Sequence, residues 1–225
     1  MNYELVIFDW DGTLMDSTAR IVDCLTRAAG ELGLPELAEE RYRSIIGLGL
    51  PEAIRELYPA IDEATVQAMR QGYATHFVAA EREPSSLFPG ARALLDHIAG
   101  SASRMAVATG KSRRGLDRVW GSTDLGRYFQ ASRCADESGS KPDPAMLYEL
   151  LEELRVPSHR AVMVGDTSFD LEMAQRAGID RIAVNWGAHR RERMLPFQPL
   201  AFADTFDELF FLLTGPQSGL LKNGA

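Results

Sequence analysis

Apolar positions along the chain follow two rhythms. Short unbroken apolar runs, closed by Gly or by carboxylates, read as buried strands. Apolar residues three or four apart read as amphipathic helices. Leu5-Val6-Ile7-Phe8 is the first strand, and Gly12 ends it because Gly tolerates backbone angles that other residues avoid. From residue 16 to residue 84 the rhythm is helical. Asp16-Ser17 offers an N-cap for a helix through Ile21, Val22, Leu25 and Ala28-Ala29, ending near Gly33. Three more helices are predicted, at Glu39 to Ile46, Pro51 to Leu57 and Asp62 to Ala80, with Gly47-Leu48-Gly49 as a break. Pro51 suits a first helical turn, and Asp62-Glu63 suit the positive end of a helix.

After a linker at Pro84-Ser85-Ser86 the pattern changes to alternation. A helix starts at Pro89-Gly90 and carries Leu94, Leu95 and Ile98 on one face. Strands are predicted at Met105 to Ala108, at Ala131 to Ala135, at Ala161 to Val164 and at Ile182 to Val184. An edge strand near Ala201 to Ala203 precedes a last helix, Phe206 to Leu213. Alternating strands and helices imply a parallel sheet covered on both faces. The predicted class is α/β, a doubly wound parallel sheet with an all-helical insertion directly after its first strand. Residues 1–15 and 85–214 form the sheet domain, residues 16–84 the helical one, and residues 215–225 a polar, Gly-rich tail that frays. The insertion would sit above the C-terminal ends of the strands, over the crevice where ligands bind in open α/β sheets.

Composition narrows the function. The chain has 225 residues, 45% of them hydrophobic, enough for a substantial core. A formal charge of −8 argues against a general nucleic-acid or membrane-surface binder, which needs a basic face. Lys111, Lys141 and Lys222 are the only lysines. Cys24 and Cys134 lie far apart without metal-ligand spacing and read as reduced thiols of a cytoplasmic protein. The first strand begins within five residues of Met1, leaving no room for a signal peptide, and no apolar run approaches the ~20 residues of a membrane span.

The strand ends carry the candidate chemistry. Asp9 and Asp11 are one residue apart at the end of the first strand, so both carboxylates can face one crevice. Thr109-Gly110 ends a second strand; a hydroxyl and an open backbone at a strand-to-helix junction suit phosphate. Gly165-Asp166 ends a third, with Asp170 four residues on, and three acids from two strands suit a hard cation such as Mg²⁺. Lys141, in Lys141-Pro142-Asp143-Pro144, would offset their charge. Each residue also has a plain structural reading. Asp11-Gly12 can be a turn, Thr109 or Asp166 a helix cap, Asp170 an exposed acid, and Lys141 a solvated lysine. Those readings do not explain why all four motifs fall on the C-terminal side of the sheet.

The set Asp9-Trp10-Asp11-Gly12-Thr13, Thr109-Gly110, Lys141-Pro142 and Gly165-Asp166-Thr167-Ser168-Phe169-Asp170 resembles the haloacid dehalogenase superfamily. The helical insertion resembles the cap of its phosphoglycolate phosphatases and β-phosphoglucomutases. That resemblance implies a Rossmann-like core and phosphoryl transfer. Asp9 would be the nucleophile that forms an aspartyl-phosphate, and Asp11 the general acid and then the base. Asp9, the Asp11 carbonyl and Asp166 would bind Mg²⁺, with Asp170 holding the site. Thr109 and the Gly110 amide would grip phosphoryl oxygens, and Lys141 would stabilise charge. Dehalogenases of the superfamily lack the second acid, which is present here as Asp11. Phosphonoacetaldehyde hydrolases need a cap lysine, and none precedes Lys111.

The resemblance thus implies a Mg²⁺-dependent phosphatase for a small phosphorylated metabolite, with a phosphomutase as the second reading. A phospho-aspartate receiver module would place its acceptor Asp mid-chain and lacks the insertion. A non-catalytic binding protein would not need the full set of acids. In the insertion, Arg20, Arg41, Arg43 and Arg55 could meet a substrate anion or simply be solvated, and Gly47-Leu48-Gly49 resembles a specificity loop. His189 and Arg190 read as loop residues that could reach the rim. Met163, Met173 and Cys134 read as core, and Trp120 and Phe129 as helix-to-sheet packing. Oligomeric state is not legible in the sequence.

Overall fold

Six parallel strands form one sheet in the order β3-β2-β1-β4-β5-β6. They were located in a computed structural model that describes residues 2–80 and 85–215. The strands are β1 (Leu5–Phe8), β2 (Arg104–Thr109), β3 (Ala131–Cys134), β4 (Ala161–Gly165), β5 (Asp180–Val184) and β6 (Ala201–Ala203). Pro84 of the expected linker and residues 216–225 of the expected tail lie outside the described residues.

Burial on both faces explains the unbroken apolar runs. Along β1, Val6 and Phe8 join a cluster on one face with Leu94, Leu95, Ile98 and Leu209. Leu5 and Ile7 join Leu147, Leu150, Met163 and Met173 on the other. The helices that supply these residues are α5 (Ala91–Ala99) and α10 (Phe206–Thr214) on the first face, and α7 (Ala145–Leu154) and α8 (Ser168–Arg176) on the second. Trp10, fully buried, continues the first cluster edge-on to Trp120 and Phe129, whose rings stack 5.7 Å apart. Trp120 belongs to α6 (Arg113–Thr123), which follows β2.

The insertion between β1 and β2 is helical: α1 (Thr18–Glu31), α2 (Glu39–Arg43), α3 (Leu50–Leu57) and α4 (Glu63–Ala80). It has an apolar cluster of its own, including Leu25, Tyr42, Ile54, Met69 and Phe77. Its entry and exit strands touch: Met15 bridges to Leu87, and the Asp16 amide donates to the Ser86 carbonyl at 2.9 Å. α2 stops at Arg43, three residues short of the expectation, and residues 44–49 form turns that reach down to the sheet. α9 (Arg191–Met194) completes the element order between β5 and β6. No helix among the described residues is long and apolar enough to cross a membrane.

Candidate active site

Register brings the strand ends together. Phe8 pairs with Val107 of β2 and with Val164 of β4, so Asp9, Thr109 and Asp166 emerge at nearly one level. The Asp9 amide extends the ladder by donating to the Val164 carbonyl at 2.9 Å. β1 lies between β2 and β4, where the strand order reverses, and an α/β sheet opens its crevice there.

One carboxylate oxygen from each of Asp9, Asp166 and Asp170 lies within 4.8 Å of the others, and all three residues are buried. Lys141, 2% exposed, sits among them, 2.7 Å from Asp9 Oδ1 and 2.6 Å from Asp170 Oδ1. Burial alone would lower the lysine's pKa; the carboxylates of Asp170 and Asp9 outweigh burial and raise it, so Lys141 is charged. Three acids then face one cation. Burial and the repulsion of Asp170 push Asp166 up to about 7, against hydrogen bonds from the Ala188 amide (2.7 Å) and the Thr13 hydroxyl (2.8 Å). Asp9 is raised far above the usual carboxylate range, by burial first and, despite Lys141, by Asp170 and Asp166. Lys141 partners Asp9 Oδ1 alone, and the buried Asp9 Oδ2 is left without a hydrogen-bond donor. An unpartnered buried acceptor and surplus negative charge on hard oxygen donors fit a divalent cation.

Asp170 is neither exposed nor solvated. It closes a capping box at the start of α8: Thr167 caps the helix, and Asp170 Oδ2 accepts from the Thr167 amide at 3.0 Å and hydroxyl at 2.6 Å. Its other oxygen is left to Lys141. Gly12, with φ at +83°, brings the backbone against the Asp166 carboxylate, where a Cβ would collide.

The Asp11 carboxylate stands apart from that acidic group. It lines the same cavity as Asp9, but its oxygens accept from Lys111 Nζ at 2.8 and 3.0 Å and from Ser17 Oγ at 2.6 Å. Ser17 therefore does not cap α1 with its side chain, as its position suggested; the carboxylate is the stronger acceptor. Thr109 is buried, and its Oγ1 accepts from the Lys111 amide at 3.2 Å. Gly110 faces the insertion. A Cβ there would lie 2.5 Å from the Leu48 carbonyl oxygen and 2.6 Å from that of Gly47.

Lys111 carried no role in the sequence reading. Its signals were its rarity and its place directly after Thr109-Gly110; its pairing is tertiary. His189, read as a loop residue, is buried and joins two parts of the fold. The Ser168 amide donates to its Nδ1 at 3.0 Å, so the neutral ring carries its proton on Nε2, 3.1 Å from the Ser44 carbonyl. Arg43 donates to the Gly187 carbonyl at 3.1 Å, and the Gly49 amide to Ser140 Oγ at 2.8 Å. The insertion is thereby clamped onto the strand ends at three points. Arg20, Arg41, Arg43 and Arg55 do not line the cavity; Arg70 and Arg118 do.

A family model described as haloacid dehalogenase-like hydrolase matches residues 6–184, which include Asp9, Asp11, Thr109, Gly110, Lys141, Asp166 and Asp170. The chain belongs to that family. Its sequence is 33% identical over 222 residues to "Probable phosphatase IndB" of Dickeya dadantii, covering 97% of this chain and 95% of that one. It is 31% identical over 236 residues to phosphoglycolate phosphatase of Rhodospirillum rubrum, covering 98% and 95%. In fold it is similar to a haloacid dehalogenase-like family hydrolase from Streptococcus pneumoniae, with a TM-score of 0.80 at 22% identity over 94% of this chain and 99% of that one. The chain is an enzyme, a haloacid dehalogenase-like hydrolase of the phosphatase type.

Proposed function

We propose that this hydrolase is a Mg²⁺-dependent phosphatase that cleaves a small phosphate monoester through an aspartyl-phosphate on Asp9. The observation that carries the reading is the buried Asp9 carboxylate. It lines the cavity, has one oxygen on the Lys141 ammonium and leaves the other without a donor. Lys141 and a bound cation would hold it ionised, with its free oxygen open to attack phosphorus. Two relatives of similar length carry phosphatase names, and that supports the reaction class.

In the proposed sequence, an Asp9 oxygen attacks phosphorus and the bond to the ester oxygen breaks. Asp11 gives that oxygen its proton. A water then attacks the same phosphorus, Asp11 takes up its proton, and the acyl-phosphate bond to Asp9 breaks. Lys111 and Ser17 hold Asp11 in place for both transfers. Thr109 and the Gly110 amide hold the phosphoryl oxygens, and Lys141 offsets the charge of Asp9. Asp9, Asp166 and the Asp11 carbonyl would hold the Mg²⁺, with Asp170 behind them. The ion would neutralise developing phosphoryl charge. The helical insertion acts as a cap that keeps bulk water from the crevice. Two free, buried cysteines support a cytoplasmic setting.

Phosphate release from a panel of esters, including 2-phosphoglycolate and hexose phosphates, tests the reading with Mg²⁺ present. Release is expected from wild type, and Asp9→Asn should lower it more than about 1,000-fold while folding normally. Near-wild-type release by the variant would sink the assignment. Conversion of hexose 1-phosphate to hexose 6-phosphate without release would make the enzyme a mutase.

A further inference from the structure

The cavity that holds Asp9 and Asp11 continues past them, between the strand ends and the insertion, to about 550 Å³. A two-carbon ester such as 2-phosphoglycolate has about nine non-hydrogen atoms; at roughly 30 Å³ each, the share of one water in the liquid, it fills about half of that space. The rest is not built for water. Leu48, Leu50, Pro51 and Phe77 line it with apolar surface, backed by Leu25, Ile45 and Ile46, which are themselves packed into the buried core of the insertion. Tyr73 adds a second ring, 5.6 Å from that of Phe77. Phe77 also ties this wall to the reacting end, because Lys111, which holds Asp11, lies 4.6 Å from its ring centre.

The far end is polar. Gln67, Arg70, Gln71, Ala74 and Phe77 form one stripe of α4, and all of them line the cavity. At 1.5 Å per residue, Arg70 sits about 10 Å along the helix from Phe77. Gln67 and Gln71 are exposed, so this end is the mouth. Arg70 donates to Gln67 Oε1 at 2.8 Å and has further donors in its guanidinium. The cavity is thus a phosphate-handling floor, an apolar middle and a polar mouth, where Arg70 stands with its glutamines and the exposed carboxylates of Glu52 and Asp136 also line the rim. An ester that stopped at two carbons would leave the apolar middle facing water.

Resting on the phosphatase reading, we propose that the substrate is the phosphate monoester of a bulky, ring-sized apolar alcohol whose far end carries an anionic or hydrogen-bonding group for Arg70 and its neighbouring glutamines. The body would pack against Phe77, Tyr73 and Leu48, and the far end would meet the mouth.

Initial rates with Mg²⁺ on ethyl phosphate, 2-phenylethyl phosphate, 2-(4-carboxyphenyl)ethyl phosphate and 2-phosphoglycolate test this. The three alkyl esters release primary alcohols of similar acidity, so differences among them report how the body is bound. The expected kcat/KM for the phenylethyl ester exceeds that for the ethyl ester by about 10- to 100-fold, from burial of the ring. The added carboxylate should raise it by about fivefold more. Phe77→Ala should shrink the phenylethyl-to-ethyl ratio by about tenfold, and Arg70→Gln should remove the carboxylate increment. Ratios within one variant cancel any loss of folded enzyme. Equal or better efficiency on ethyl phosphate and 2-phosphoglycolate would overturn the proposal and leave the phosphatase reading standing. No turnover of any ester would remove both.

Discussion

Lys141 and Lys111 divide the electrostatics of the site between them. Lys141 is enclosed with Asp9 and Asp170, where charge is costly and must be matched. Lys111 lies at the cavity edge and grips both oxygens of Asp11. With Asp11 as the proposed proton carrier, a fixed carboxylate would transfer protons along one direction, so losing the grip should slow chemistry more than binding. Lys111→Met is expected to lower kcat about 10- to 100-fold with a smaller change in KM. Steady-state kinetics on any accepted ester would show it, and an unchanged kcat would leave Lys111 without a positioning role. His189 gives a second test. Burial, and then Arg193, lower its pKa to about 4 from the ordinary 6.5. The folded value is the lower one, so the unfolded chain takes the proton first. The stability held by the neutral ring is complete above pH 6.5 and is lost as pH falls from 6.5 towards 4. It amounts to at most about 3 kcal/mol. The urea midpoints of wild type and His189→Asn should converge between about pH 7.5 and about pH 4.5, whereas a gap independent of pH would contradict the assignment.

Among the elements, the segment after α2 joins insertion and sheet most closely. Gly47 and Leu48 press their carbonyls on Gly110, Ser44 meets His189, and Gly49 meets Ser140. Backbone that close admits no side chain at residue 110. Gly110→Ala should therefore lift this segment from the sheet, lowering kcat/KM about 10-fold or more and lowering Tm as the Ser44–His189 and Gly49–Ser140 contacts part. Activity and thermal melts on the same preparation would check it; wild-type kcat/KM would mean the contact is dispensable. The same segment marks what the sequence could show. Strand ends were legible because a strand buried on both faces must be apolar until it leaves the sheet, so Asp9, Thr109-Gly110 and Gly165-Asp166 announce themselves. Contacts between distant elements left no such trace. The periodicity of Glu39 to Ile46 is helical, yet the chain unwinds after Arg43 to offer its carbonyls downwards. Ser17 has a capping position, but Asp11 takes its hydroxyl. Four arginines drew attention by charge alone, while Arg70, on a stripe with Phe77, is the one from α4 that reaches the cavity.

At the scale of the whole molecule, the sheet domain carries a surplus of buried negative charge in Asp9, Asp166 and Asp170 that a divalent cation should relieve. Mg²⁺ is expected to raise Tm by roughly 5–10 °C at 100-fold over its Kd, and EDTA to remove both that increment and activity. The increment should shrink below about pH 7, where Asp166 takes up a proton and competes with the metal. Thermal melts across pH, with and without Mg²⁺, measure this; activity that survives thorough chelation would exclude the metal's role. The central claim is a phosphoryl group carried on Asp9, and the most direct measurement is mass spectrometry of enzyme quenched in acid during turnover. A phosphoryl adduct on the peptide containing Asp9, absent from Asp9→Asn, is the expected result. Steady phosphate release by an enzyme that carries no adduct, or carries it on another residue, would contradict it.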